Sequence, residues 1–226
     1  MPTDPNNRGA APQSVAASHP FEEHQSSSLP QRSHPRSDSR LDDALAFLRG
    51  FIAQPMSVAS VVPSSPYLEQ GVVRATDLAR ARCVVELGPG TGGSTRALLR
   101  AMNPQARLLA IELNPEFASR LRQRVQDPRL LVQEGSAADL GLHLERWSLP
   151  APDAVVSGIP FSTLPTEVAH SIVAAIQANL APGGRFVAYQ FRAHVASYTS
   201  PVMGEPSFEW EWRNVPPMRV FRWLKR

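Results

Sequence analysis

Glu86-Leu87-Gly88-Pro89-Gly90-Thr91-Gly92 sets three glycines at alternate positions directly after an acid. Glycine reaches positive φ and lets backbone approach a ligand with no Cβ between them. The acid closes an apolar run, Cys83-Val84-Val85, and the glycines lead into Ser94-Thr95-Arg96-Ala97-Leu98-Leu99. That pattern is a strand, a tight turn and the start of a helix, and open α/β sheets bind ligands at such strand ends. A second acid, Glu112, closes the run Arg107-Leu108-Leu109-Ala110-Ile111. It stands about twenty residues past the turn, the offset at which a carboxylate holds ribose hydroxyls. The chemistry indicated is the binding of a nucleoside-bearing cofactor. Nicotinamide and flavin binding share the general signature, and a ligand-free α/β turn is the bland alternative.

Two further turns follow strand-like runs. Leu131-Val132-Gln133-Glu134 runs into Gly135-Ser136-Ala137, and Asp153-Ala154-Val155-Val156-Ser157 runs into Gly158-Ile159-Pro160-Phe161. Upstream, Val62-Pro63-Ser64-Ser65-Pro66 reads as a helix start, with Ser65 as cap and proline in the first turn. The amino end of that helix offers free N–H groups to an anion. An ordinary cap explains Ser65 equally well.

The elements that must position these groups alternate regularly. Strands are expected near 82–87, 107–112, 130–134, 153–157 and 184–191, and helices near 93–102, 115–125 and 166–180. Strands separated by helical patterns give a parallel sheet with helices on both faces. The tail from Phe208 to Arg226 alternates aromatic and polar residues around Pro216-Pro217 and is expected to close the sheet as an antiparallel hairpin. The fold class is therefore α/β, Rossmann-like, with a mostly parallel seven-stranded sheet and an antiparallel last strand.

Composition bounds the partners. The 226 residues carry a net charge of +3 and an apolar fraction of 42%. No basic block dominates, so nucleic acid is not the favoured partner. The single cysteine, Cys83, excludes a disulfide framework and reads as a small buried apolar residue. No run reaches the length of a membrane span, and no signal peptide is evident. Residues 1–39 are rich in Pro, Ser, Asn, Gln and His and are expected to be a disordered tail, with His19, His24 and His34 solvated rather than metal-bound. The domain is expected to span 40–226. Within it, 41–53 has apolar residues at helical spacing, including Leu41, Leu45, Phe47, Leu48 and Phe51. It is either a helix packed on the core or an interfacial helix lying on anionic lipid.

Glu-Leu-Gly-x-Gly-x-Gly followed by a second strand ending in Glu resembles the class I S-adenosylmethionine-dependent methyltransferases. The order Phe-Leu-Arg-Gly-Phe-Ile-x-x-Pro (47–55), Val-Pro-Ser-Ser-Pro (62–66), Ser-Gly-Ile-Pro-Phe (157–161) and Arg-Asn-Val-Pro-Pro (213–217) is similar to that of bacterial phospholipid N-methyltransferases, relatives of the ribosomal RNA adenine dimethylases. The resemblance implies S-adenosylmethionine held by Ser64, Ser65, Glu86, Gly88, Pro89, Gly90, Thr91, Gly92, Glu112, Leu113, Gly135, Ser136, Ala137 and Ser157. It implies an acceptor site at Gly158, Ile159, Pro160, Phe161 and Tyr189. The family's adenine-binding Asp is replaced by Ser136, and its Asn by Gly158, which removes the amide that holds a planar base amine. The implied reaction is methylation of phosphatidylethanolamine towards phosphatidylcholine. The alternatives are an adenine N-methyltransferase for ribosomal or transfer RNA, an enzyme for another lipid or small amine, and a membrane-associated protein with a relic cofactor fold. The implied setting is a metal-free monomer in the cytoplasm, bound peripherally to the anionic inner membrane. Tyr189 and His194 are the polar candidates for removing the amine proton. Phe161, Tyr198 and Trp210 are candidates for holding the methylated cation, and Arg192, Arg213 and Arg219 for the lipid phosphate.

Overall fold

The computed structural model describes residues 64–226. The expected tail 1–39 and the amphipathic helix 41–53 lie outside these residues. Helix α1 (Pro66–Thr76) starts where expected: the Ser65 hydroxyl accepts from Leu68 N–H at 3.2 Å and proline sits in the first turn. Asp77, in the left-handed region at φ 54°, ends it. Strand β1 (Cys83–Leu87), helix α2 (Gly93–Ala101), β2 (Arg107–Glu112), α3 (Pro115–Arg124) and β3 (Leu130–Glu134) form the first half. The second half holds α4 (Leu140–Arg146), β4 (Ala154–Ser157), α5 (Thr166–Asn179), β5 (Arg185–Gln190), α6 (His194–Met203), β6 (Ser207–Glu211) and β7 (Met218–Leu224).

The strands make one sheet in the order β3-β2-β1-β4-β5-β7-β6. The first five are parallel to their neighbours, and β7 is antiparallel to both β5 and β6. Alternation along each strand divides the core between two faces. Val85, Leu87, Val155, Phe186 and Phe221 pack against α5 through Val168, Ile172 and Ile176. Val84, Leu108, Val156 and Val187 pack against α1, α2 and α3 through Leu68, Val72, Leu98 and Leu121. Each such side chain, fully buried, contributes about 1.5–3 kcal/mol. Burial on both faces explains why the strands read as unbroken apolar runs.

Helices α4 and α6 are additions to the expected elements. In α4, Leu140, Leu142 and Leu144 alternate as a strand would, yet the segment is helical, with Leu140 and Leu144 buried one turn apart and Leu142 64% exposed. Cys83 is buried, and desolvation followed by the nearby Asp153 pushes its thiol up to about 12, which makes it inert. No helix among the described residues is long and apolar enough to cross a membrane.

Candidate active site

The glycine turn joins β1 to α2 with Gly88, Gly90 and Gly92 all at positive φ, +69°, +53° and +81°. The three have different surroundings. A Cβ on Gly92 would stand 2.6 Å from Leu121 Cδ1, so this glycine permits close packing of α3. A Cβ on Gly88 would stand 3.0 Å from Ile159 Cγ1, so the turn abuts the one after β4. Around Gly90 a Cβ would meet nothing within 4 Å. The backbone is open there and a ligand can approach it. At the end of β2, Glu112 accepts from Gly90 N–H at 3.1 Å and from Asn114 N–H at 2.9 Å. Burial raises its carboxyl above the ordinary range, while the N–H groups of Asn114, Gly90 and Leu113 oppose the rise. Three N–H donors do not fill the carboxylate's roughly four acceptor sites, and an acceptor-only group is what a ribose hydroxyl requires. The open backbone at Gly90 beside this carboxylate fits a nucleoside cofactor.

Glu86 faces the other way. Both of its oxygens accept from hydroxyls of the first turn of α2, Ser94 Oγ and Thr95 Oγ1, the latter at 2.6 Å. It is fully buried, and desolvation lifts its carboxyl to about 7. The Ser94 and Thr95 hydroxyls pull against that rise, and the neighbouring Glu112 and Glu69 add to it. Its visible task is to anchor the start of α2 beneath the glycine turn.

After β3, Gly135 is required by a residue that sequence reading missed. His143 from α4 lies across it, and a Cβ would stand 2.6 Å from the imidazole Cε1. His143 Nε2 is 3.0 Å from the Ser136 carbonyl oxygen, and burial depresses the pKa of this imidazole. The Ser136 hydroxyl accepts from Ala138 N–H at 3.1 Å and caps the 3-10 turn Ala137–Asp139. Its second lone pair is what remains for an adenine amine. His143 was invisible in the sequence because its helix was.

The turn after β4 is braced from within. Ser157 Oγ accepts from Ile159 N–H at 3.2 Å, and the Ile159 carbonyl accepts from Gln190 Nε2 at 2.7 Å. Phe161 is 1% exposed, with its ring centroid 6.3 Å from that of Tyr198, so it packs the turn onto the core. Gly158 explains the missing amide. A Cβ there would fall inside the contact distance of the Tyr189 hydroxyl, 3.0 Å from Tyr189 Cζ and 2.9 Å from the Gly88 carbonyl oxygen. The phenol of β5 occupies the volume that a side chain at 158 would take. Burial raises the Tyr189 pKa well beyond that of a free phenol, and the neighbouring Glu86 adds to this.

The structure thus brings the glycine turn, Leu113 beside Glu112, the Gly158 turn and Tyr189 together at the carboxyl ends of four adjacent strands. Ser64 faces the Tyr189 hydroxyl. Ser65 is committed to its helix and to Asn214, whose Oδ1 accepts from Ser65 N–H at 2.9 Å. His194 and Arg192 are exposed at the start of α6. Trp210 stacks on Trp212 in the last hairpin rather than within the group of turns.

A family profile described as a methyltransferase domain matches residues 84–184. The chain is 34% identical over 183 residues to the ornithine lipid N-methyltransferase of Singulisphaera acidiphila, across 80% of this chain and 95% of that one. A stretch of 92 residues is 37% identical to ribosomal RNA small subunit methyltransferase A of Parasynechococcus marenigrum, covering 40% of this chain but only 29% of that relative. The solved O-methyltransferase from Bacillus cereus, in complex with SAH, superposes with a TM-score of 0.59 at 15% identity over 81% of this chain and 91% of that one. That last likeness is one of fold. With 34% identity sustained across nearly the whole of a methyltransferase, and the fitting turns at four strand ends, the chain belongs to the class I S-adenosylmethionine-dependent methyltransferases.

Proposed function

We propose that this enzyme methylates the primary amine of a membrane lipid headgroup. The observation that carries the reading is at Gly158, where the Tyr189 phenol and the Gly88 carbonyl leave no room for the amide that grips a planar base amine. An alkyl amine on a flexible headgroup needs no such clamp. The acceptor named for the Singulisphaera relative supports the same class. Phosphatidylethanolamine and ornithine lipid both present such an amine and are the two substrates to compare.

When bound, S-adenosylmethionine supplies an electrophilic methyl group on a sulfonium. The chain's own residues then have three tasks. The open backbone at Gly90 and the Glu112 carboxylate hold the nucleoside, with Ser64, Ser136 and the backbone of Ala137 at the margins. The Gly158-Ile159-Pro160 backbone, braced by Ser157 and Gln190, orients the amine at near-attack distance. Tyr189 is the polar side chain at that position and assists loss of the amine proton, which burial of the cation already favours.

Access is from a membrane surface. Phe208 and Trp212 are 51% and 66% exposed on the last hairpin, and the Arg219 guanidinium lies 4.3 Å from the Trp210 ring centroid. Among the described residues Arg219 is in no ion pair. Aromatic rings and an arginine outside any ion pair suit the headgroup layer of an anionic membrane. Arg219 pairs with Gln190 across the sheet, and Gln190 bonds the Ile159 carbonyl, so this surface borders the acceptor turn.

The test is transfer of labelled methyl from S-adenosylmethionine to lipid extracts, with and without anionic vesicles, followed by identification of the labelled lipid. Label on an amine headgroup is expected, more of it with anionic vesicles. Label absent from every lipid, with the cofactor bound, defeats the reading.

A further inference from the structure

Three side chains from three elements form a continuous hydrogen-bonded line away from the acceptor turn. The Tyr189 hydroxyl on β5 lies 3.3 Å from Ser94 Oγ on α2, and Ser94 Oγ donates to Glu86 Oε1 at the end of β1. We propose that this line is a proton relay, in which Tyr189 takes the proton of the acceptor amine and Ser94 passes the charge on to Glu86. The proposal rests on the lipid-amine reading and assigns that site a base of its own.

The direction of the bonds follows from chemistry. Glu86 as carboxylate only accepts, so Ser94 must donate to it. The Ser94 oxygen is then an acceptor, and the Tyr189 hydroxyl donates to Ser94. The phenol oxygen has two lone pairs; Ser64 faces the same hydroxyl and can take one, and the other is left to accept from an amine beside the Gly158 turn. In the step, the ammonium N–H bond breaks and an O–H bond forms on the phenol. The phenol's original proton moves to Ser94 Oγ, and the Ser94 proton moves to Glu86 Oε1. The amine ends neutral, Glu86 ends as the acid, and both hydroxyls are restored with new protons. No free phenolate is required, which suits a phenol that burial holds firmly protonated. Between turnovers the proton returns along the same line to solvent.

The surroundings suit Glu86 as the terminus. The groups facing it are Glu112 at the end of β2, Glu69 on α1 and Tyr189 on β5, besides the Ser94 and Thr95 hydroxyls. Two of these are acids, and Arg100, 3.8 Å from Glu69, is the cation beyond them. Burial and like charge put the Glu86 carboxyl at about 7, so near neutral pH it is both available as a base and able to keep a proton. Thr95 holds the other oxygen and keeps the carboxylate in place whichever state it is in.

The experiment compares wild type with Tyr189→Phe and Ser94→Ala. It measures kcat/KM against pH on vesicles of anionic lipid containing ornithine lipid or phosphatidylethanolamine, and S-adenosylmethionine affinity by calorimetry. Both variants should bind cofactor within about twofold of wild type and lose on the order of 10²-fold in kcat/KM at neutral pH. The loss should shrink to a few-fold as pH approaches about 10, where an alkylamine sheds its proton unaided. A loss of the same size at every pH, or no loss, would overturn the relay while leaving the lipid reading intact. Wild type that methylates neither lipid would overturn both. A second readout needs no turnover: carbon-13 NMR of the Glu86 carboxyl in the cofactor-free protein. Its midpoint should lie near 7 and rise in Ser94→Ala, which removes a donor to the carboxylate. A midpoint in the ordinary glutamate range would remove the terminus and with it the proposal.

Discussion

A side chain at position 158 would contend with the Tyr189 phenol on one side and the Gly88 carbonyl on the other. Gly158→Ala should therefore lower unfolding free energy by about 1–3 kcal/mol in urea melts, as overpacking does. Adding Tyr189→Phe removes the hydroxyl part of the clash and should recover part of that loss. If the two substitutions instead destabilise additively, the phenol is not what fills the space. Glu86 makes a second prediction. Its folded pKa, about 7, lies above the value of an unfolded glutamate, so the folded state holds the proton more tightly. The resulting stability is complete below about pH 4.5 and is lost as pH rises through 7. Relative to Glu86→Gln, wild type should lose on the order of 2–4 kcal/mol across that window. Parallel stability curves would show an unshifted Glu86. Sequence showed Glu86 as an acid beside a ligand turn, but not which way it faces. The hydroxyls at Ser94 and Thr95, in the first turn of the following helix, are the sequence sign that the acid faces that helix.

Elements buried on both sides were legible. The strands observed at 83–87, 107–112, 130–134 and 154–157 differ from the expected spans by a residue at most, because two-sided burial makes each an apolar run with a turn at its end. The cap at Ser65 and the final hairpin were legible for equally local reasons. Helix α4 was not, since its leucines have strand spacing and its packing on α5 and Gly135 leaves no mark in the local sequence. Helix α6 contains Pro201 together with valine and threonine, none of which signals a helix. The pairing of Gln190 with the Ile159 carbonyl joins residues 31 apart and leaves no sequence mark. For the β6–β7 hairpin, the double substitution Phe208→Ala and Trp212→Ala should weaken flotation with anionic vesicles at least severalfold, while cofactor affinity stays unchanged. Both side chains are more than half exposed, so a fall in stability instead would mean that they belong to packing.

The molecule shares its fold with methyltransferases of low sequence identity, such as the Bacillus cereus enzyme at 15%. That common frame explains why the cofactor is easier to read than the acceptor. The features on which the acceptor reading rests lie at the ends of β4 and β5 and on the last hairpin: Gly158 under a phenol, Gln190 bracing Ile159, and stacked tryptophans beside Arg219. The partial likeness to ribosomal RNA methyltransferase A gives a concrete competitor, since arginine and aromatic rings also serve RNA. The decisive comparison is kcat/KM for ornithine lipid and phosphatidylethanolamine in anionic vesicles against kcat/KM for a small-subunit ribosomal RNA fragment, with one preparation at one salt concentration. Methyl transfer to a lipid amine, with RNA at background, is the predicted result. Methylated adenine in the RNA, with both lipids at background, would contradict it.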